Sequence, residues 1–261
     1  MTAQDMKKRR LKLLLGVAAC ALMMVSDFLW KAHGDSAVST TLGAFADKAW
    51  LSIPMWRLVL SNILSAAAVP LYFTGFSEMY RMICERTVSK VEKRLAQFFR
   101  FGVIAGTISF AFIHTLCVSM PMMMQLVEPY AGTIHAAELV NRYMKLNIVP
   151  MIAYYLAADG VISVVMVMLV WKKTLPLSRL FILCNPLCAS AIGSVLVMLP
   201  WPLSLLDTVS EPCGHLLIMI VALILYQKDM RRMPRRRQKD DADLPPILNL
   251  DDEPDSDFTV I

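Results

Sequence analysis

The chain is a succession of apolar runs, most long enough to cross a lipid bilayer, separated by clusters of charge. Crossing the hydrocarbon takes about 20 mostly apolar residues. Residues 11–30, 56–78, 101–125, 149–171, 179–202 and 212–227 meet or approach that requirement. Inside lipid every backbone N–H and C=O must be paired within the protein, so such runs are read as helices. The expected fold class is all-α: a polytopic membrane protein with a bundle of six transmembrane helices. Composition agrees, because only 18% of the residues are charged against about 25% in soluble domains. Pro121 and Pro186 fall inside the third and fifth runs, where neighbouring helices can satisfy the freed carbonyls.

Orientation follows from the basic residues. They precede the first run (Lys7, Lys8, Arg9, Arg10), fill the connection from Arg81 to Arg100, recur at Lys172, Lys173 and Arg179, and follow the sixth run from Lys228 to Lys239. The alternate connections are poor in them, which predicts both termini in the cytoplasm. Trp30, Trp50, Trp56, Tyr130 and Trp201 would form an aromatic belt at the outer boundary. The first run exceeds the roughly 7–15 apolar residues of a cleaved leader and reads as a retained signal-anchor. The net charge of +5 is what helix-flanking basic residues produce, so no nucleic-acid partner is expected. The organisation is a basic amino terminus (1–10), a six-helix domain (11–228) and a tail (229–261) that runs from basic to acidic.

That tail ends in DDADLPPILNLDDEPDSDFTVI, with eight acidic residues and no basic one, a composition expected to be disordered. Its basic start could hold anionic lipid, and its LPPILNL island or its terminal carboxylate could dock a protein partner. The six cysteines form no CxxC pair, so neither a disulfide framework nor a zinc site is expected. His114, Cys117 and the Met120–Met124 region would suit Cu(I), but methionine also fills irregular packing gaps. No metal, no cofactor and no catalytic residue is assigned; no hydrolase, nucleotide or metalloprotease motif occurs.

The informative residues are the polar ones inside apolar runs. A charge at a helix centre costs about 2.5–3.5 kcal/mol and faces a partner or water rather than lipid. On the expected topology Asp27, Arg57, His114, Asp159, Glu211 and His215 gather toward the extracytoplasmic side, which predicts an outward-facing polar cavity that binds ligand. Local pairing is the competing account. Asp27 has Lys31 four residues on, or Arg57; Glu211 and His215 repeat that spacing; Asp159 shares a helix face with Tyr155 and Ser163. Three functions follow: binding or transport of a small molecule or lipid head group, lipid modification by His114 with an aspartate, or a scaffold acting through the tail. Whether the protein is an enzyme stays open. Asp27 and Asp159 each lie in the first run of a three-run half, a faint sign of an inverted repeat.

Ser26-Asp27, Trp56-Arg57, His114, Asn185-Pro186 and Glu211-Pro212-x-Gly214 together resemble an uncharacterised family of small bacterial integral membrane proteins, a domain of unknown function. The likeness covers roughly residues 11–228 and not the tail. It implies a six-helix domain in the bacterial inner membrane and a role for those polar positions, without an activity.

Overall fold

Two antiparallel helices begin the fold, α1 (Ala3–Lys31) and α2 (Met55–Cys84). Here and below, the structure is a computed structural model that describes residues 3–32, 41–196, 198 and 203–242. The chain divides into a unit through Leu225, which holds every site discussed below, and another from Tyr226. Arg9 meets Glu78, Gly16 meets Gly75 and Ser26 meets Ser61, so contacts descend along α2 as they ascend along α1. Between apolar helices in lipid there is no hydrophobic drive, and close backbone approach supplies the packing. Gly16 and Gly75 provide it. A Cβ on either would run into the backbone of the other helix, with Met219 closing over the crossing.

The third helix, α3 (Lys90–Tyr154), is a hairpin hidden in one helical run. It breaks at Gly132, whose φ of 79° and ψ of 160° lie outside the helical region and suit glycine, which has no Cβ to clash. Residues on the two arms then pair about that point: Ser119 with Tyr143, Phe110 with Tyr154, Gly106 with Ala158 and Gly102 with Ile162. The second arm continues through a wider π-type turn, Tyr155–Gly160, into α4 (Val161–Trp171). The first arm alone is about 60 Å long at 1.5 Å per residue, twice the ~30 Å of a bilayer core. Its far portion therefore extends beyond what a membrane could contain, and residues 126–148, expected to be a loop, are helical instead. Ala136, Val140 and Met144 explain why, because they form a buried stripe at four-residue spacing.

A small segment clasps this tip. Strands β1 (Thr41–Leu42) and β2 (Ala46–Asp47) pair antiparallel, and a 3-10 turn, Lys48–Ser52, follows with Asp47 as its cap. Asn141 accepts from the Phe45 N–H at 2.7 Å and donates to the Leu42 carbonyl at 2.6 Å. Gln125 donates to the Trp50 and Ile53 carbonyls, both at 2.7 Å. Trp50 is consequently a core residue and not a member of an interfacial belt. Trp56 and Tyr130 are exposed; Trp201 lies outside the described residues.

The expected crossing at 179–202 is not one helix. A 3-10 turn covers Arg179–Leu183, and α5 spans only Pro186–Leu196. Asn185 starts it, its side-chain oxygen accepting from the Cys188 N–H at 3.0 Å, and Pro186 occupies a first-turn position that needs no donor. Eleven residues reach about 16 Å, short of a bilayer. The last helix, α6, runs Ser210–Ala242, so the basic start of the tail is helical; residues 243–261 lie outside the described residues. Among the described residues four helical runs are long and apolar enough to cross a membrane, Gln4–Lys31, Met55–Cys84, Lys90–Trp171 and Leu206–Met230, with Pro186–Leu196 shorter. The third of these is the run folded at Gly132. Large apolar side chains also point outward in stripes, Phe101, Ile104, Ile108 and Phe112 on α3 and Val59, Ile63 and Phe73 on α2. Such a surface suits lipid and would be a liability in water.

Candidate functional site

The last turns of α1 carry the centre of the site. Asp27 is almost buried, and its two carboxylate oxygens are shared between a cation and an imidazole. Lys31 Nζ sits 2.6 Å from Oδ2, one helical turn away, and His114 Nδ1 of α3 sits 3.2 Å from Oδ1. A carboxylate beside an ammonium only accepts, so Nδ1 carries the proton. On its other side His114 Nε2 lies 2.9 Å from both Ser26 Oγ and Ser61 Oγ. Each serine is also within reach of the other's backbone carbonyl, Ser26 Oγ to Ser61 O at 2.7 Å and Ser61 Oγ to Ser26 O at 2.8 Å. One aspartate, one histidine and two serines thus cross-link α1, α2 and α3 where a membrane helix would otherwise bury them unpaired.

The order Asp–His–Ser is that of a nucleophilic hydrolase, but the serines differ from a catalytic nucleophile. Both are fully buried, Ser26 and Ser61 each at 0% exposure, and neither borders open space. Asp27 and His114 do border it, on a cavity of about 230 Å³. Trp30 and Lys31 complete the α1 wall; Phe110, Cys117 and Met120 come from the first arm of α3, Met144, Met151 and Tyr154 from the second, and Tyr155 and Glu211 close the space. The Tyr154 hydroxyl donates to Glu211 at 3.4 Å. The buried indole N–H of Trp30 has no partner among the described residues.

Of the six residues singled out from sequence, Asp27, His114 and Glu211 therefore share the cavity. Arg57 does not line it. Its guanidinium donates to the Ala32 carbonyl at 2.6 Å and reaches that of Phe28 at 3.4 Å, closing the carboxyl end of α1. Asp159 and His215 form a second buried pair, Oδ1 to Nε2 at 2.9 Å, and the Tyr72 hydroxyl lies 3.2 Å from His215 Nδ1. None of these three borders the cavity. The local pairings weighed for Asp159, Glu211 and His215 do not form: Ser163 Oγ accepts from the Leu187 N–H at 3.2 Å, and His215 turns to Asp159 rather than to Glu211. The Asp27–Lys31 pairing does form, and lies in the cavity wall.

Sequence reasoning missed three participants. Ser61 was visible only as a polar residue one turn below Arg57. Trp30 read as a belt residue. Glu78, the last residue of the second apolar run, drew no reading of its own, yet it is buried and pairs with Arg9 at 2.5 Å, with Lys12 3.7 Å away. Its signal was an acid and a basic cluster at matching distances from the ends of consecutive runs.

Outside these runs, Ser89 and Glu92 form a reciprocal cap at the start of α3, ahead of the run at 101–125, and Thr174 donates to Glu92 at 2.8 Å. The Ser89 and Val88 N–H groups and the Thr174 hydroxyl hold the Glu92 carboxyl down to about 2. No curated protein and no solved structure matches the chain. A family model matches residues 2–229, nearly the whole helical part, and the chain belongs to that family of unknown function, DUF6796.

Proposed function

We propose that the protein binds, and in its cellular setting transports, a small molecule or lipid head group in the cavity beside Asp27. The setting we infer is the bacterial inner membrane, with six crossings, the fifth made jointly by the turn at Arg179–Leu183 and α5, both termini cytoplasmic and the cavity open toward the outside. The observation that carries the reading is the meeting of Asp27, His114 and Glu211, from three separate helices, around one space of about 230 Å³. Drug-sized ligands occupy about 300–1,000 Å³, so the occupant is a head group or small metabolite rather than a whole lipid. Its walls are mostly apolar and aromatic with a few polar groups, the usual composition of a ligand site.

The test uses the purified full-length protein in lipid nanodiscs and a panel of small polar compounds and lipid head groups, scored by thermal protection. Asp27→Asn and Glu211→Gln should each weaken protection by the compound that binds. If both variants keep every protection of the parent, the reading fails.

A second reading, lipid modification by His114 with Asp27, is favoured by their contact at 3.2 Å and by Ser26 and Ser61 at 2.9 Å from the far nitrogen. It requires a buried serine to become exposed. Hydrolysis of a short-chain lipid ester that disappears in Ser26→Ala or Ser61→Ala would favour it over the binding reading.

A further inference from the structure

The cavity is lined by two acidic side chains, Asp27 and Glu211, and by Lys31. Lys31 stands against Asp27 at 2.6 Å, which leaves Glu211 with the Tyr154 hydroxyl for a partner and no cation within ion-pair distance among the described residues. The aromatic side chains of Tyr154, Tyr155, Phe110 and Trp30 line the same cavity as Glu211. Lys31 already illustrates what this lining favours: its Nζ bonds a carboxylate and lies 5.4 Å from the centre of the Trp30 ring. Carboxylate plus aromatic face is how proteins recognise ammonium groups, through charge and the negative face of the ring. An anion entering the same space would meet Asp27 and Glu211 with Lys31 already engaged.

We infer that the cavity takes an organic ammonium group, held by Glu211 and by the rings of Trp30, Tyr154 and Tyr155. This deepens the binding reading above and rests on it. The ammonium can belong to a free amine or to a zwitterionic phospholipid, and the chemistry of recognition is the same.

The experiment titrates choline and ethanolammonium into the full-length protein in nanodiscs of phosphatidylglycerol alone. The comparison compounds are 3,3-dimethylbutan-1-ol, the neutral isostere of choline, and inorganic phosphate. Saturable binding of either ammonium, at least tenfold tighter than the isostere and at least tenfold weakened by Glu211→Gln, is the expected result. Tyr155→Phe, which keeps the ring, should retain binding, and Tyr155→Leu should lose it. Equal binding of isostere and choline, or tighter binding of phosphate, overturns the ammonium inference while leaving a binding cavity. Absence of binding by any of the four compounds, with Asp27→Asn also silent across the wider panel, overturns both. Adding phosphatidylethanolamine to the nanodiscs separates the sources: a lipid occupant weakens the apparent binding of free ethanolammonium, and a free-amine site leaves it unchanged.

Discussion

Asp27–His114 and Asp159–His215 are the same chemical pair in two surroundings. Each joins an aspartate from the first apolar run of a three-run half to a histidine from the third. The Asp159 pair is sealed: Asp159 is 2% exposed and His215 4%, with Tyr72 on the free nitrogen and the Phe76 ring edge-on to the imidazole at 5.8 Å. The Asp27 pair has two serines on its free nitrogen, Lys31 on its carboxylate, and a cavity beside both members. One pair is a buried brace between helices. The other braces three helices and also shows a charged, hydrogen-bonding face to open space. An intramembrane acid is thus no signature of a site by itself; what distinguishes the site is room beside it.

The largest effect that would sharpen this contrast is loss of the sealed partner. Asp159→Ala leaves His215 buried with one partner fewer, and removing half of a buried pair costs about 3–5 kcal/mol. Asp27→Ala should cost clearly less, because His114 keeps both serines and faces the cavity. Unfolding of the two purified variants in the same micelle measures the difference. Equal losses would break the comparison.

Ser61→Ala comes next. Interhelical hydrogen bonds inside membranes average about 0.6 kcal/mol and reach about 1.7, and the one Ser61 hydroxyl proton serves either the Ser26 carbonyl or His114 Nε2. A loss in that range is expected, and the Ser26→Ala/Ser61→Ala double variant should depart from additivity because the two hydroxyls share one nitrogen.

The smallest effect gives a water-facing reference for both buried acids. Glu92 ordinarily titrates near 4.5 and is held down to about 2 in the folded chain. A carboxyl lowered on folding stabilises the fold fully above its unfolded value, and that contribution disappears as pH falls through the folded one. The stability gap between the parent and Glu92→Gln should therefore be flat above about pH 4.5 and shrink between there and about pH 2. A gap that grows as pH falls would contradict the cap.

How much of this was legible depended on whether an interaction is local. The apolar runs located α1, α2 and the arms of α3, since length and hydropathy are local properties. The Asp27–Lys31 pair was legible as an i, i+4 spacing. The hairpin tip was not, because Ala136, Val140 and Met144 form a narrow stripe that an average over the window dilutes. Nor was the destination of His114 or His215. Glu211 and His215 share a face of α6, yet Tyr154 takes the first and Asp159 the second, and that choice is made by packing. The broken crossing at 179–202 was half legible in Asn185-Pro186, which reads as a helix start once proline is taken as punctuation rather than as a tolerated kink.

Cysteine reactivity tests the central claim, a polar cavity beside Asp27 that favours cations. Cys117 borders that space and Cys20 is fully buried at 0% exposure. Single-cysteine variants retaining one or the other would be treated with methanethiosulfonates bearing a trimethylammonium or a sulfonate. The account predicts that Cys117 reacts faster than Cys20 and prefers the trimethylammonium reagent, a preference reduced by Glu211→Gln. A Cys117 as inert as Cys20, or one that reacts equally with both reagents, would contradict it.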